Sequence, residues 1–183
     1  MNRLQKSIEH LKQEILELSG LVETRFHESV RAVRERDAEL GKQVIQGDEE
    51  IDEKEVEVEE ECLKLLALYQ PVAKDLRFIV SVMKINSDLE RIGDLAVNIA
   101  ERALLFASVA PIAMPIDVAG MSAKVSTMLK ESVDALVRMD ADLARRVCAA
   151  DDEVDDMHRQ GYEKVEAAIR KDPTRARPAA CCG

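Results

Sequence analysis

VETRFHESVRAVRERDAELGKQVIQGDEEID, residues 22–52, and VSTMLKESVDALVRMDADLARRVCAADDEVD, residues 125–155, align without a gap at an offset of 103 residues. Thirteen of the 31 positions are identical, among them Glu28/Glu131, Ser29/Ser132, Asp37/Asp140, Leu40/Leu143 and Asp48/Asp151. A match of that length is the mark of one structural unit made twice. Gly41 and Gly47 are answered by Ala144 and Ala150, so neither glycine serves a positive φ.

Working outward from the repeat, Leu4, Ile8, Leu11, Ile15, Leu18, Val22, Phe26 and Val30 recur at steps of three or four and predict a helix over 4–46. Gly47-Asp48 reads as a helix stop followed by an N-cap, opening a second helix over 49–69. Pro71 suits the first turn of a third helix that runs to residue 107. PIAMP, residues 111–115, reads as a linker, followed by helices over 118–149 and 151–171. The unit is therefore a helical pair plus a long third helix, because three amphipathic helices together can bury their apolar stripes. The fold class is all-α, two three-helix bundles in tandem: residues 1–107, a linker over 108–117, and a second unit over 118–172. With the 103-residue offset, the third helix of the second unit would begin near 174 and the counterpart of Glu90 would fall near 193, while the sequence ends at Gly183. The expectation is a two-helix second unit, truncated before its third helix, and an aberrant tail over 173–183.

Composition agrees with helices. The chain has 183 residues, 46% hydrophobic, with three Phe, two Tyr and no Trp, so its core is aliphatic. Seven Gly and five Pro are too few for the turns of an all-β protein. A net charge of −10 argues against nucleic acid, which requires a basic patch. No apolar run approaches the length of a membrane span, and the charged N-terminus lacks a signal-peptide apolar region. Cys62, Cys148, Cys181 and Cys182 form neither a disulfide framework nor a zinc spacing, which points to a reducing cytosol.

One helix carries the chemistry. In DLERIGDLAVNIAE, residues 88–101, Glu90, Asp94, Asn98 and Glu101 fall within about 80° of one another on a helical wheel. The apolar arc of the same helix, Phe78, Ile85, Leu89, Ile92, Leu95, Ala96 and Ile99, lies opposite. Two readings stand. The stripe is an ordinary solvated face, or it holds a cation that offsets the repulsion between like charges one turn apart. Leu76, Ile79, Met83 and Val97 near the stripe count against a plainly solvated face. Oxygen ligands favour Mg²⁺, Ca²⁺, Mn²⁺ or iron, and one helix offers too few of them, so a second helix, a second subunit or water must complete the shell. Carboxylate-bridged di-iron bundles need a pair of Glu-x-x-His motifs. His10, His27 and His158 supply only Asp155-x-x-His158, so oxidase chemistry is disfavoured. No phosphate loop, nucleophile elbow or Cys–His pair is present, and the reading is of a non-enzyme.

DLRFIVSVMKINSDLERIGDLAVNIAE, residues 75–101, with GDEEIDEKEVEVEEECLKLLALYQPVAKDLR upstream, closely resembles the signature region of the PhoU family, accessory regulators of bacterial phosphate-specific transport. The resemblance covers residues 1–172. It implies a cytoplasmic, homodimeric repressor of the phosphate-starvation response, working with the transporter's ATPase subunit and the phosphate-sensing histidine kinase. It also implies metal ions on acidic motifs of the third helix. Iron comes first, with zinc, manganese or magnesium as alternatives. Glu90 and Asp94 match that motif, with Asn98 and Glu101 following. Leu95 stands where many family members carry His, and KDPTRARPAACCG, residues 171–183, replaces the start of the second signature helix. The alternative function is a metal-buffering bundle without a signalling role.

Overall fold

The aspartate shared by both copies of the repeat sits in the same turn in each. The computed structural model describes residues 3–109 and 116–171, and the elements it places are six α-helices: α1 (Arg3–Glu35), α2 (Ala38–Gln46), α3 (Asp48–Tyr69), α4 (Ala73–Ala107), α5 (Val118–Arg138) and α6 (Ala141–Lys171). At the α1–α2 break, Arg36 is left-handed (φ 58°), the Asp37 N–H bonds the Ala32 carbonyl at 2.9 Å, and the Asp37 carboxylate caps the Glu39 and Leu40 amides. At the α5–α6 break, Met139 is left-handed (φ 56°), the Asp140 N–H bonds the Ala135 carbonyl at 2.9 Å, and the Asp140 carboxylate takes the Asp142 and Leu143 amides. Each turn closes one helix in a Schellman-type bond and starts the next.

This turn corrects two boundaries. The expected single helix over 4–46 is two helices, and the expected helix over 118–149 ends at Arg138. Periodicity carries through both breaks because the residue that reverses the backbone is Arg or Met, which carries no turn signature. Conversely, the expected break at Ala150 does not occur, and α6 runs through it. Gly47 caps α2 through bonds to the Gln43 and Val44 carbonyls, whereas alanine at the matching position favours continuing the helix. Gly47 also serves as the N-cap of α3, so Asp48 lies inside the first turn with its carboxylate unused by the cap. Pro71 precedes α4 by two residues, in a tight connection where Gln70 is left-handed. The expectations for residues 111–115 and for the tail fall on residues 110–115 and 172–183, outside the described residues.

α1 is the hub, packed by α2, α3, α4 and α5. The main core draws Leu11, Ile15 and Leu18 from α1, Ile51 and Val58 from α3, and Ile79 and Val82 from α4. Leu129, Val133 and Leu136 of α5 join the same core, so the second unit leans on the first through α1. α6 is the least enclosed helix: of its residues only Leu143 and Gly161 are buried.

The buried face of α4 keeps Phe78, Leu89 and Ala96 of the expected arc but is turned away from the rest of it. Leu95 is 53% exposed, and Ile85, Ile92 and Ile99 are only half-buried, while Ile79, Asn86 and Gly93 are enclosed. The face is rotated by roughly 80° toward the acidic stripe. α4 is gripped by both α1 and α3, and its α3 side is made of small and polar residues. The stripe therefore flanks the core rather than lying opposite it.

Candidate functional site

The α3–α4 hairpin sets two acidic stripes face to face. Asp48, Asp52, Glu55 and Glu59 recur at steps of four, three and four along α3 and so share one side of it. Antiparallel pairing places that side against Glu90 and Asp94. The pivot is Gly93: a methyl group there would stand 3.1 Å from Ile51 Cδ1 and 3.2 Å from Cγ2, with Asp48 Oδ1 at 3.7 Å. Lower on the hairpin, Asn86 is buried and its Nδ2 donates to the Glu55 carbonyl at 2.8 Å, fixing the register. Asn86 Oδ1 is a buried acceptor without a hydrogen-bond donor among the described residues.

The electrostatics follow from this packing. Glu90 is half-buried, and burial, then Asp94, Asp52, Glu55 and Asp48, hold its carboxyl above the ordinary range. Burial pushes Asp48 up too, reinforced by Asp52 and Asp94. Glu55 is raised by burial and by Glu59, with a Ser87 hydrogen bond opposing. No cation is among the groups that shift these three. Elsewhere on α3 some acids are answered: Lys54 bonds Glu57 at 3.1 Å, as well as Glu17 of α1 at 3.3 Å, and Lys64 bonds Glu61 at 2.6 Å.

Asp94, Asn98 and Glu101 are exposed. Asp94 faces the first turn of α3, whereas Asn98 and Glu101 continue along α4 past the end of α3. The partners on α3 went unread in the sequence, although their spacing repeats the stripe logic that singled out α4. The donor set is oxygen alone, which fits a hard cation. As placed, no three His, Cys, Asp or Glu side chains gather round one point at ligand spacing among the described residues. A closed shell therefore requires side-chain rotation at exposed Asp52 and Asp94, and water.

Other chemistry is weak. Ser126 Oγ lies 3.2 Å from His27 Nε2, a pair the sequence did not suggest. Glu23 faces that same nitrogen at 3.7 Å rather than the other ring nitrogen, which is where a carboxylate orients a catalytic histidine. Burial and neighbouring Glu14, Glu61 and Glu59 push the Cys62 thiol up to about 12, leaving it inert. Among the described residues no helix is long and apolar enough to cross a membrane.

The comparisons agree with this architecture. The family model for the PhoU domain matches twice, over residues 15–103 and 118–181. The "phosphate-specific transport system accessory protein PhoU homolog" of Aquifex aeolicus is 38% identical over 171 residues, covering 93% of this chain and 77% of the relative. The homologue of the same name from Pseudomonas putida is 35% identical over 167 residues, covering 91% of this chain and 65% of its own length. The crystal structure of PhoU from Pseudomonas aeruginosa superposes with a TM-score of 0.90 at 32% identity, over 98% of this chain and 86% of that one. With the family model matched over most of the chain and a relative 38% identical across nearly all of it, this chain belongs to the PhoU domain family.

Proposed function

We propose that the chain is an accessory regulator of phosphate transport that works by contact rather than catalysis. It restrains the phosphate-starvation response when phosphate is plentiful, docking through helix surfaces on the transporter's ATPase subunit and on the phosphate-sensing histidine kinase. In this reading it works in the cytoplasm, and the family resemblance adds a homodimer. The relatives' names as phosphate transport accessory proteins support the role.

The observation that carries a ligand for this regulator is the α3–α4 seam, where burial and neighbouring carboxylates, Asp52 and Asp94 among them, raise Asp48, Glu55 and Glu90 with no cation among the groups that shift these three. These residues would hold a metal ion, with Asn98 and Glu101 extending the donor row along α4. The oxygen set suits iron, manganese or magnesium better than zinc. A bound ion supplies positive charge between the two helices and so stiffens the hairpin.

Elemental analysis tests this: Glu90→Ala with Asp94→Ala is expected to lose the bound metal while the far-ultraviolet circular dichroism stays unchanged. Equal metal content in variant and parent would refute the assignment. Pull-down of the ATPase or kinase by the same double variant supports the regulatory reading. Its failure to capture either, together with a parent that captures neither, favours metal buffering.

A further inference from the structure

The connection between α3 and α4 breaks three local rules at once. Gln70 (φ 45°) and Ala73 (φ 48°) hold a left-handed backbone that favours glycine. Val72 stands at the N-cap of α4 and offers no side-chain acceptor to the free amides there. The same stretch leaves Leu68 66% and Val72 75% exposed, with Leu76 at 40%. Each choice costs stability, and nothing inside the fold recovers it. Local violations of this kind mark places where a chain is shaped for contact.

The charge around this tip identifies what it meets. Lys74 and Arg77 follow Val72 on α4. α1 brings two more cations. Arg25 bonds Glu50 and Glu17 bonds Lys54, so α1 and α3 run antiparallel, and equal steps along both from the Glu17–Lys54 pair bring Arg3 beside Leu68. Arg3, Lys6, Lys74 and Arg77 are exposed, and none is in an ion pair among the described residues. Of the nearby acids, Glu9 bonds Lys12 and Glu61 bonds Lys64, which leaves Asp75. This end is therefore basic in a chain whose net charge is −10. A few projecting side chains are too little for a specific protein interface, which takes about 800 Å² from each partner. A bilayer surface accepts a convex tip, its anionic headgroups meeting Lys and Arg and its acyl boundary meeting aliphatic side chains. We infer that the α3–α4 tip, with the start of α1, is a peripheral contact for anionic phospholipid bilayers. Leu68 and Val72 enter the headgroup layer, and the four cations meet its phosphates. The net negative charge repels such a surface from the rest of the molecule, so contact is end-on. The inference goes beyond the regulatory reading and the metal assignment and depends on neither.

The test sediments the full chain with vesicles of phosphatidylglycerol and phosphatidylcholine in equal parts, and with vesicles of phosphatidylcholine alone. Binding is expected to the first, falling as salt is raised, and not to the second. Lys74→Ala with Arg77→Ala should weaken it about tenfold, and Leu68→Ser with Val72→Ser by a similar factor. Tyr162→Ser, on α6 and as exposed as Leu68, should bind like the parent. In a Cys148→Ser, Cys181→Ser, Cys182→Ser background, a polarity-sensitive dye on Val72→Cys should shift to the blue with anionic vesicles. The same dye on Tyr162→Cys should not. The proposal is overturned by equal binding to phosphatidylcholine alone, by unchanged binding of either double variant at parental helicity, or by a dye shift at position 162 equal to that at 72. Absence of binding to the anionic vesicles overturns it too, and would give the tip to a protein partner instead.

Discussion

Replacing Gly93 with alanine sets two effects of known sign against each other. Within a helix interior, Gly→Ala stabilises by about 1 kcal/mol through backbone entropy. At Gly93 the new methyl would meet Ile51 Cδ1 at 3.1 Å and Cγ2 at 3.2 Å, closer than ordinary carbon contact by several tenths of an ångström. Ile51 is 1% exposed and has nowhere to retreat, and its Cγ2 is tied directly to Cβ. Overpacking of that kind costs about 1–3 kcal/mol. The net expectation is a loss of about 1 kcal/mol, or roughly 2–4 °C in Tm for a chain of this size. Gly20 supplies the control: it also lies inside a helix, α1, and a methyl there meets nothing within 4 Å. Gly20→Ala should therefore stabilise by up to about 1 kcal/mol. Urea titration of both variants measures the difference directly, and adding Ile51→Val, which removes Cδ1, should recover part of the Gly93→Ala loss. If Gly93→Ala stabilises as much as Gly20→Ala, the close α3–α4 seam described above is wrong.

Other expectations follow from separate parts of the molecule. Glu90, Asp48 and Glu55 have raised carboxyls, so the native state binds more protons than the unfolded state between the ordinary carboxylate value and the folded one. The penalty is fully present above the folded values and is relieved as pH falls through that window. Chelator-treated protein should therefore gain urea stability from these three groups as the pH falls from neutral through their raised carboxyl values. Asp48→Asn with Glu90→Gln should flatten the trend, and a parent that weakens steadily over that range contradicts it. Met139 holds a left-handed backbone without a glycine. Met139→Gly should stabilise by about 1 kcal/mol, whereas Asp140→Ala removes two amide bonds at the start of α6 and should cost about 1 kcal/mol; thermal denaturation reads both. In a Cys181→Ser, Cys182→Ser background, a thiol reagent at pH 8 should label exposed Cys148 quickly and buried Cys62 only on unfolding. Equal labelling rates would show that the α1–α3 interface is open.

The duplication was legible because Asp37/Asp140 and the other identities align without a gap. The helix break at that position was not, since Arg36 and Met139 carry no turn signature and apolar spacing continues past them. The acidic residues of α4 were readable as a stripe, but their partners on α3 were not. That pairing depends on a hairpin register set by the Asn86–Glu55 bond, the Ile51–Gly93 contact and the connection over residues 70–72. The buried face of α4 was read in part, through Phe78, Leu89 and Ala96, and missed in part for a related reason: Asn86 and Gly93 register as polar or neutral in any hydrophobic pattern, yet both face inward because α3 needs room there. The share of α5 that α1 covers through Phe26 and Val30 is a tertiary fact with no local signal.

The position of α1 at the hub has a consequence for synthesis. Phe26 and Val30 pack with Ala96 of α4 and with Val118 and Val125 of α5. α1 leaves the ribosome before α5, and about 100 residues separate Phe26 from Val125, which helps to complete its enclosure. At typical elongation rates that interval lasts roughly 5–20 s. For that time a nascent chain with α1–α4 already assembled presents an apolar flank to the surroundings. A holding chaperone has its opportunity there, and a ribosome stalled within the segment over 108–117 would prolong it.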